Sequence, residues 1–327
     1  MATDKKEEKI RLHPRNKNRA RYDLKALIKA KPALAKYVKP NKFGDESVDF
    51  SNPDAVRMLN TALLYHYYGI EYWDFPQENL CPAIPGRADY IHYIADLLGE
   101  YDRVPTGENI KCFDVGMGAS CIYPIIGVTE YGWGFVASDV DKKSIDSAKE
   151  IIERNAALKG KVEVKFQGLK DEIFFGIIGR EDKMDLAICN PPFHSSKKEA
   201  LSGSRRKVRN LTGKRMENPS LNFSGMTNEL IFEGGELQFI KNMIRESVKF
   251  SQNFYWFSTL VSKQANLKSI YTLFDNFKAK QVKTIPMGTG NKSTRIVAWT
   301  FLTKEEQAKW REERWSSENP FKFQLIK

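Results

Sequence analysis

Asn190-Pro191-Pro192-Phe193 combines residue types that can hold and activate an amino group. It follows an apolar run, Met184-Asp185-Leu186-Ala187-Ile188-Cys189, with the length and character of a buried strand. Proline lacks an N–H and fixes φ, so the chain leaves that strand rigidly and its carbonyls stay free to accept hydrogen bonds. The Asn190 carboxamide oxygen adds an acceptor, and Phe193 offers a face to a planar base or amide. A planar N–H₂ group fits between them. Two acceptors on its hydrogens draw the nitrogen towards a tetrahedral shape and localise its lone pair, which can then attack an electrophilic methyl in line. The protein contributes positioning and electrostatics. A proline-rich loop that merely closes a strand has the same local look, so the assignment needs a second site.

That second site lies earlier in the chain. A strand over Ile110–Val115 ends in Asp114-Val115-Gly116-Met117-Gly118-Ala119-Ser120, whose small residues let backbone approach a ligand at the carboxyl edge of a parallel sheet. Ala119-Ser120-Cys121 breaks the full G-x-G-x-x-G pattern, which argues against a dinucleotide. The next strand ends in Ala137-Ser138-Asp139-Val140-Asp141. A carboxylate there can accept both hydroxyls of an adenosyl ribose. Asp139 is nearer the strand end, whereas Asp141 suits a helix N-cap.

These loops need a scaffold. From about residue 110, predicted strands at 110–115, 134–138, 162–167, 184–189 and 253–261 alternate with helices at 144–155, 236–250 and 268–277. Repeated βα units imply an α/β fold with a mainly parallel sheet. Gln281–Pro286 and Arg295–Leu302 have no helix between them and pair as a C-terminal antiparallel hairpin. Before this region, Ser51-Asn52-Pro53-Asp54 caps a helix with Val56, Leu59, Leu63 and Leu64 on one face. Leu80–Arg87 reads as a turn-rich link. We therefore expect residues 1–85 to form a basic arm and helical extension. Residues 86–327 form the catalytic domain, with a long loop at 194–233 and a tail at 304–327.

The chain has 327 residues, 41% hydrophobic and 12% aromatic, enough for a substantial core. No apolar stretch reaches a membrane span. Met1–Lys9 is charged and lacks the apolar core of a signal peptide, so a cytoplasmic location is expected. Cys81, Cys112, Cys121 and Cys189 show no metal-binding spacing and read as reduced thiols, with no metal expected. A net charge of +11 favours a polyanionic partner. The basic residues cluster: Arg15, Lys17, Arg19 and Arg21 in one segment, Arg205, Arg206, Lys207 and Arg209 in another just beyond the Asn-Pro-Pro-Phe loop.

The order of these stretches resembles the Rossmann-like, seven-stranded S-adenosylmethionine-dependent amino-methyltransferases. More narrowly, residues 11–303 resemble the bacterial 23S ribosomal RNA adenine-N6-methyltransferases of the RlmF type and their eukaryotic relatives acting on structured RNA. The resemblance rests on His13-Pro14-Arg15-Asn16, Asn52–Arg57, Ile84–His92, Asp114–Pro124, Cys189–His194, Glu233–Glu236 and Ser293–Phe301. It implies S-adenosylmethionine as methyl donor and 23S ribosomal RNA as partner. Asp114, Gly116 and Gly118 would line the donor, Asp139 would hold its ribose, Arg87 would pair with its methionine carboxylate, and Gln167 would reach its adenine. Asn190, Pro191, Pro192 and Phe193 would hold the target adenine, unpaired or flipped out of its stack, with Asn190 also touching the donor. The basic clusters, with Lys292 and Arg295 of the hairpin, would grip RNA phosphate.

His194 beside the loop reads as structural, because a methylated amino nitrogen loses its proton readily to water. Glu236 suits the first turn of its helix. Tyr72, Trp73 and Phe75 read as packing. Two rival functions remain open to sequence reading. A protein glutamine N5-methyltransferase would use the same Asn-Pro-Pro loop, usually with tyrosine in place of Phe193, and has no need of two basic segments. A catalytically inactive RNA-binding factor would not need Asn190, Pro191 and Phe193 intact.

Overall fold

Seven strands build the central sheet: β4 (Lys111–Val115), β5 (Gly134–Asp139), β6 (Val162–Phe166), β7 (Met184–Cys189), β8 (Phe254–Val261), β9 (Gln281–Thr289) and β10 (Lys292–Thr300). Their order is β6-β5-β4-β7-β8-β10-β9. The first five are parallel, and β10 pairs antiparallel with both β8 and β9. The computed structural model describes residues 12–41, 43–99, 103–169, 171–196, 199, 230–289, 292–315 and 322–325.

Sequence character explains the order. Every residue of β5, β7 and β8 is buried, as parallel strands covered on both faces require, whereas β6 at the edge has only exposed and half-buried positions. The chain runs from β4 outward to β5 and β6, then returns to place β7 on the other side of β4. Strand order reverses there, so the carboxyl ends of β4 and β7 border a ready-made crevice.

Helices cover both faces. On one side lie α1 (Leu24–Ala30), α2 (Pro53–Tyr68), α3 (Ile84–Leu98), α4 (Ile122–Tyr131) and α5 (Lys142–Glu153), which share a continuous cluster of buried residues running from Leu27 to Ile126 and Leu186. The helices α6 (Gly235–Ser247) and α7 (Leu267–Asn276) cover the other face through Phe113, Phe174, Phe254, Phe257 and Trp299. The cap of α2 matches its sequence: Asn52 Oδ1 accepts from the Asp54 and Ala55 amides with Pro53 in the first turn, an arrangement worth about 1 kcal/mol. Asp141 caps α5 through the Ser144 amide at 3.0 Å, which leaves Asp139 to the strand end.

Several elements differ from sequence expectation. Pro85-Gly86-Arg87 belongs to the first turn of α3, where proline costs no hydrogen bond, and the expected boundary at 85 falls at the start of this helix. The stretch Ile122–Tyr131 is apolar on nearly all sides and carries no amphipathic pattern, yet it is helical. Its Gly127 sits where any Cβ would collide with the Phe135 ring. The expected tail contains a helix, α8 (Lys304–Trp315), and a strand, β11 (Lys322–Leu325), paired antiparallel with β3 (Arg103–Thr106). Between α1 and α2, β1 (Val38–Pro40) and β2 (Glu46–Val48) form a small hairpin.

Residues 12–22, expected as an arm, pack against α3 and α4. His13, Asn16 and Asn18 are buried. His13 Nε2 lies 2.9 Å from Asp96 Oδ2, and the His13 and Asn16 donors converge on Asp89 Oδ1. The segment is therefore docked through buried polar pairs that the local charge pattern does not reveal.

Candidate active site

A cavity of about 180 Å³ opens at the carboxyl ends of β4, β5 and β7. Register puts its loops side by side: Val115 is paired with Ser138 on one flank and with Cys189 on the other. The glycine turn after β4, Asp139 at the end of β5 and Asn190 after β7 therefore leave three adjacent strand ends together. Arg87, Gly116, Gly118, Asp139, Gln167, Asn190 and Pro192 all line the cavity.

Gly116 and Gly118 have φ of +68° and +65°, which non-glycine residues reach only with strain. A Cβ at Gly116 would meet no atom of the described residues within 4 Å, so its absence leaves room for a ligand rather than for packing. Asp139 fixes the turn: its Oδ2 accepts from the Gly118 amide and its Oδ1 from the Asp141 amide, both at 2.9 Å. Met117 N–H donates to the Ser138 carbonyl at 3.0 Å, tying the two loops together.

Asp114 is fully buried, and neither carboxylate oxygen has a hydrogen-bond partner among the described residues. Burial pushes its carboxyl well above the ordinary range; the charge of Asp139 adds to this and Arg87 opposes it. Arg87, in the first turn of α3, donates from Nη1 to the Tyr123 hydroxyl at 3.2 Å. The carboxamide oxygen of Asn190 is likewise buried without a partner among the described residues. Buried acceptors cost free energy unless something donates to them. Asp114 lies outside the cavity lining, but an unspent acceptor at Asn190, an arginine and an open glycine turn suit a polar ligand carrying both amino and carboxylate groups.

Gln167 spends its side chain on its own loop, accepting from the Leu169 amide and donating to the Phe175 carbonyl, each at 2.9 Å. It builds the cavity wall. Pro191 is buried, and Phe193 is half-buried beyond the cavity lining. His194 makes a parallel bridge with Ile231: its N–H donates to the Leu230 carbonyl and its carbonyl accepts from the Phe232 amide, each at 3.0 Å. That bridge sets Leu230, Ile231 and Phe232 into the cavity wall. Burial lowers the His194 pKa. Glu236 accepts from the Ser262 amide at 2.8 Å and from Asn266 Nδ2 at 2.6 Å, stapling the start of α6 to the loop after β8.

Sequence reading missed Tyr123, Glu172, Ile173, Phe232 and Phe239 in the cavity wall. Ile173 is held there because Glu246 accepts from its amide and from those of Phe174 and Phe175. No local pattern points to Ile173; a long-range hydrogen bond to Glu246 places it.

The basic residues divide. Arg15 bonds Tyr131, Asp96 and the His92 carbonyl, and Lys17 pairs with Glu130 at 3.0 Å, so both serve docking of the N-terminal segment. Arg19 and Arg21 are exposed. Arg295 is only 8% exposed, inside β10 opposite Val261 and Pro286, rather than on an open hairpin. Lys292 begins β10, but its side chain lies outside the described residues, as do Arg205, Arg206, Lys207 and Arg209. Trp73 and Phe75 are packed edge to face, and the Trp73 indole donates to the Ser120 carbonyl at 2.9 Å. All four cysteines are free thiols. Among the described residues no helix is long and apolar enough to cross a membrane, and no group of three His, Cys, Asp or Glu could hold a metal.

Sheet order and cavity position define the Rossmann-like methyltransferase class. Within it, a family model described as RNA methyltransferase matches residues 6–303. The chain belongs to this RNA methyltransferase family. Ribosomal RNA large subunit methyltransferase F of Cytophaga hutchinsonii is 54% identical over 321 residues, covering 96% of this chain and 100% of that protein. The protein of the same name from Photobacterium profundum is 51% identical over 329 residues, covering 95% and 97%. Among solved structures, the hMettl16 catalytic domain in complex with MAT2A 3′UTR hairpin 1 superposes with a TM-score of 0.76 at 30% identity, covering 90% of this chain and 96% of that one. The N-terminal domain of human METTL16 in complex with SAH gives 0.70 at 28% identity, covering 89% and 99%.

Proposed function

We propose that this protein transfers a methyl group from S-adenosylmethionine to the N6 amino group of an unpaired or flipped-out adenine in large-subunit (23S) ribosomal RNA. The observation that carries this reading is the buried Asn190 oxygen, without a partner among the described residues, on a residue that shares the cavity wall with the glycine turn. An acceptor for amino hydrogens and a donor pocket thus share one cavity wall. Relatives at 54% and 51% identity named as large-subunit ribosomal RNA methyltransferases support the substrate class.

When bound, S-adenosylmethionine supplies an electrophilic methyl carbon. Gly116 and Gly118 would line it, Arg87 would pair with its methionine carboxylate and Asp139 would hold its ribose, with Asp114 buried outside the cavity lining. Asn190 Oδ1 and the loop carbonyls accept the two hydrogens of the adenine amino group and orient the nitrogen lone pair. Pro191 and Pro192 keep that loop rigid, and Phe193 stacks on the base. The methylated nitrogen releases its proton to water, so no side-chain base is required. Arg19 and Arg21, with the cluster at 205–209, pair with RNA phosphates. Pulling a stacked adenine from its neighbours costs a few kcal/mol, which these contacts offset.

The test is direct. Purified protein is incubated with labelled S-adenosylmethionine and either 23S RNA or large-subunit particles, and the nucleosides are separated by mass spectrometry. N6-methyladenosine at one position is expected. Label in protein alone, or in another nucleoside, would overturn the reading.

A further inference from the structure

We propose that Tyr90 and Ser258 are positioning residues for the Asn190 loop: a two-hydroxyl relay that fixes the last peptides of β7 from outside the sheet ladder. This deepens the function proposed above and rests on it for what the loop does.

The relay starts where β7 loses one neighbour. On its β4 side, pairing continues to the strand end, with Val115 opposite Cys189. On its β8 side, the partners run from Met184 and Phe254 to Ala187 and Phe257 and stop there. Beyond that point two side chains take over the backbone groups of β7. Ser258 Oγ donates to the Ala187 carbonyl at 2.7 Å. The Cys189 amide donates to Tyr90 Oη at 3.2 Å. The two hydroxyl oxygens lie 2.9 Å apart.

Each hydroxyl carries one proton, so the directions follow. Ser258 gives its proton to Ala187 and must accept from Tyr90. Tyr90 gives its proton to Ser258 and accepts from Cys189. The longer approach of Tyr90 Oη to the Cys189 carbonyl, 3.4 Å, competes for the same proton and is the weaker contact. Tyr90 and Ser258 are both 0% exposed, so water does not substitute for either. Burial also pushes the Tyr90 phenol well above its ordinary pKa, which keeps its proton in place.

Asn190 is the next residue after the pinned amide; it lines the cavity, and its side-chain oxygen is buried without a partner among the described residues. A catalytic acceptor is sensitive to displacement on the scale of one ångström. The relay fixes the peptide from which Asn190 projects. It also links the two halves of the cavity. Tyr90 and Arg87 lie one turn apart on α3; Tyr90 packs edge to face on Tyr123 at 5.4 Å, and Arg87 donates to the Tyr123 hydroxyl. One helix thus sets both the donor-side arginine and the acceptor loop.

The experiment compares wild type, Tyr90→Phe, Ser258→Ala and the double variant. Single-turnover and steady-state methyl transfer to ribosomal RNA, donor affinity by calorimetry, and hydrogen exchange of the Cys189 amide are measured. Tyr90→Phe is expected to lower kcat about 10- to 100-fold, with the KM for RNA and the donor Kd changed by less than about twofold. Its Cys189 amide should exchange at least about tenfold faster, since its acceptor is gone. Ser258→Ala should act in the same direction, and the double variant should be no worse than Tyr90→Phe, as for residues of one unit. Wild-type kcat in both single variants, donor affinity falling in step with rate, or unchanged Cys189 exchange would overturn the relay. Failure of the wild type to methylate ribosomal RNA overturns the proposed function instead, and amide exchange then decides the relay alone. Should Tyr90→Phe not fold, Ser258→Ala carries the test.

Discussion

The Trp310 indole N–H donates to Asp185 Oδ1 at 2.8 Å across 125 residues of sequence. Trp315 donates to the same oxygen at 2.9 Å, Arg314 Nη2 to Oδ2 at 3.0 Å, and the Lys111 amide to Oδ2 at 2.7 Å. Asp185 is fully buried in β7, the strand that ends at the catalytic loop. One carboxylate therefore fastens α8 beneath the sheet and ties β4 to β7 at the end opposite the cavity.

Removing that charge leaves four donating residues without their acceptor. Asp185→Ala is expected to destabilise the fold by about 3–5 kcal/mol, as breaking a buried ion pair does. Trp310→Phe, which loses one hydrogen bond but keeps most packing, should cost about 1–2 kcal/mol. Urea unfolding followed by far-ultraviolet circular dichroism measures both. A midpoint for Asp185→Ala equal to wild type would show that α8 is held by other means.

Asn190→Ala tests the acceptor role. The alanine removes an oxygen that has no partner among the described residues, so the melting temperature should stay near that of wild type. Transfer should fall by about 10²–10³-fold, in the range seen when one preorganised polar group is lost from an active site. Donor binding by calorimetry should change little. An equal loss of donor affinity would move Asn190 from the acceptor side of the cavity to the donor side.

Local pattern made the site's strand ends legible. Met184–Cys189 has the predicted limits, and Asp141 takes the cap that leaves Asp139 at the strand end. What stayed hidden depends on distant partners. The sequence of α8 is dominated by charge, and its few buried residues find their role only when Trp310 and Trp315 meet Asp185. Ile122–Tyr131 failed for the opposite reason: a helix buried nearly all round has no polar face to give it period. Arg15, expected to grip RNA phosphate, bonds Asp96, a counter-ion 81 residues away that no local pattern reveals. Charge runs report composition, whereas burial decides which cations are available.

Gly116→Ala separates ligand space from folding. The residue has φ of +68°, and an added Cβ would meet no atom of the described residues within 4 Å. The folding cost is then only the left-handed backbone penalty, about 1–2 kcal/mol. The methyl group would occupy donor space, so donor affinity should fall by well over the factor that this stability loss implies. Calorimetry at a temperature where the variant is fully folded measures it. Wild-type affinity would place the donor away from this turn.

Acid stability should report the docked N-terminal segment. His92 is buried, stacks on His13 at 5.3 Å, and shares its surroundings with Arg15, Asp96 and Tyr131. Burial, with the neighbouring His13 and Arg15 charges, lowers its pKa from 6.5 to about 3. The unfolded chain therefore binds this proton at higher pH than the folded one. His92 contributes stability that is complete above about pH 6.5 and is lost as pH falls towards 3. His92→Gln should flatten the dependence of the urea midpoint on pH over that interval. An equally steep dependence in the variant would assign the acid sensitivity to other groups.

Lys17, Arg19 and Arg21 are the exposed cations of the first basic cluster; Lys17 is paired with Glu130 at 3.0 Å, whereas the only ion pair of Arg21 among the described residues is a 3.4 Å approach to half-exposed Asp45. Such a surface pair is worth less than about 1 kcal/mol, so Arg21 can exchange it for phosphate. Deleting residues 1–22 would also remove His13 and Asn16 from the core and confound binding with folding. Arg19→Ala/Arg21→Ala avoids that. Its melting temperature should match wild type while RNA affinity falls at low salt. The slope of log affinity against log salt should decrease by about 0.7–0.9 for each phosphate that is no longer neutralised. An unchanged slope would mean that RNA crosses a different face and that these two arginines are ordinary surface charge.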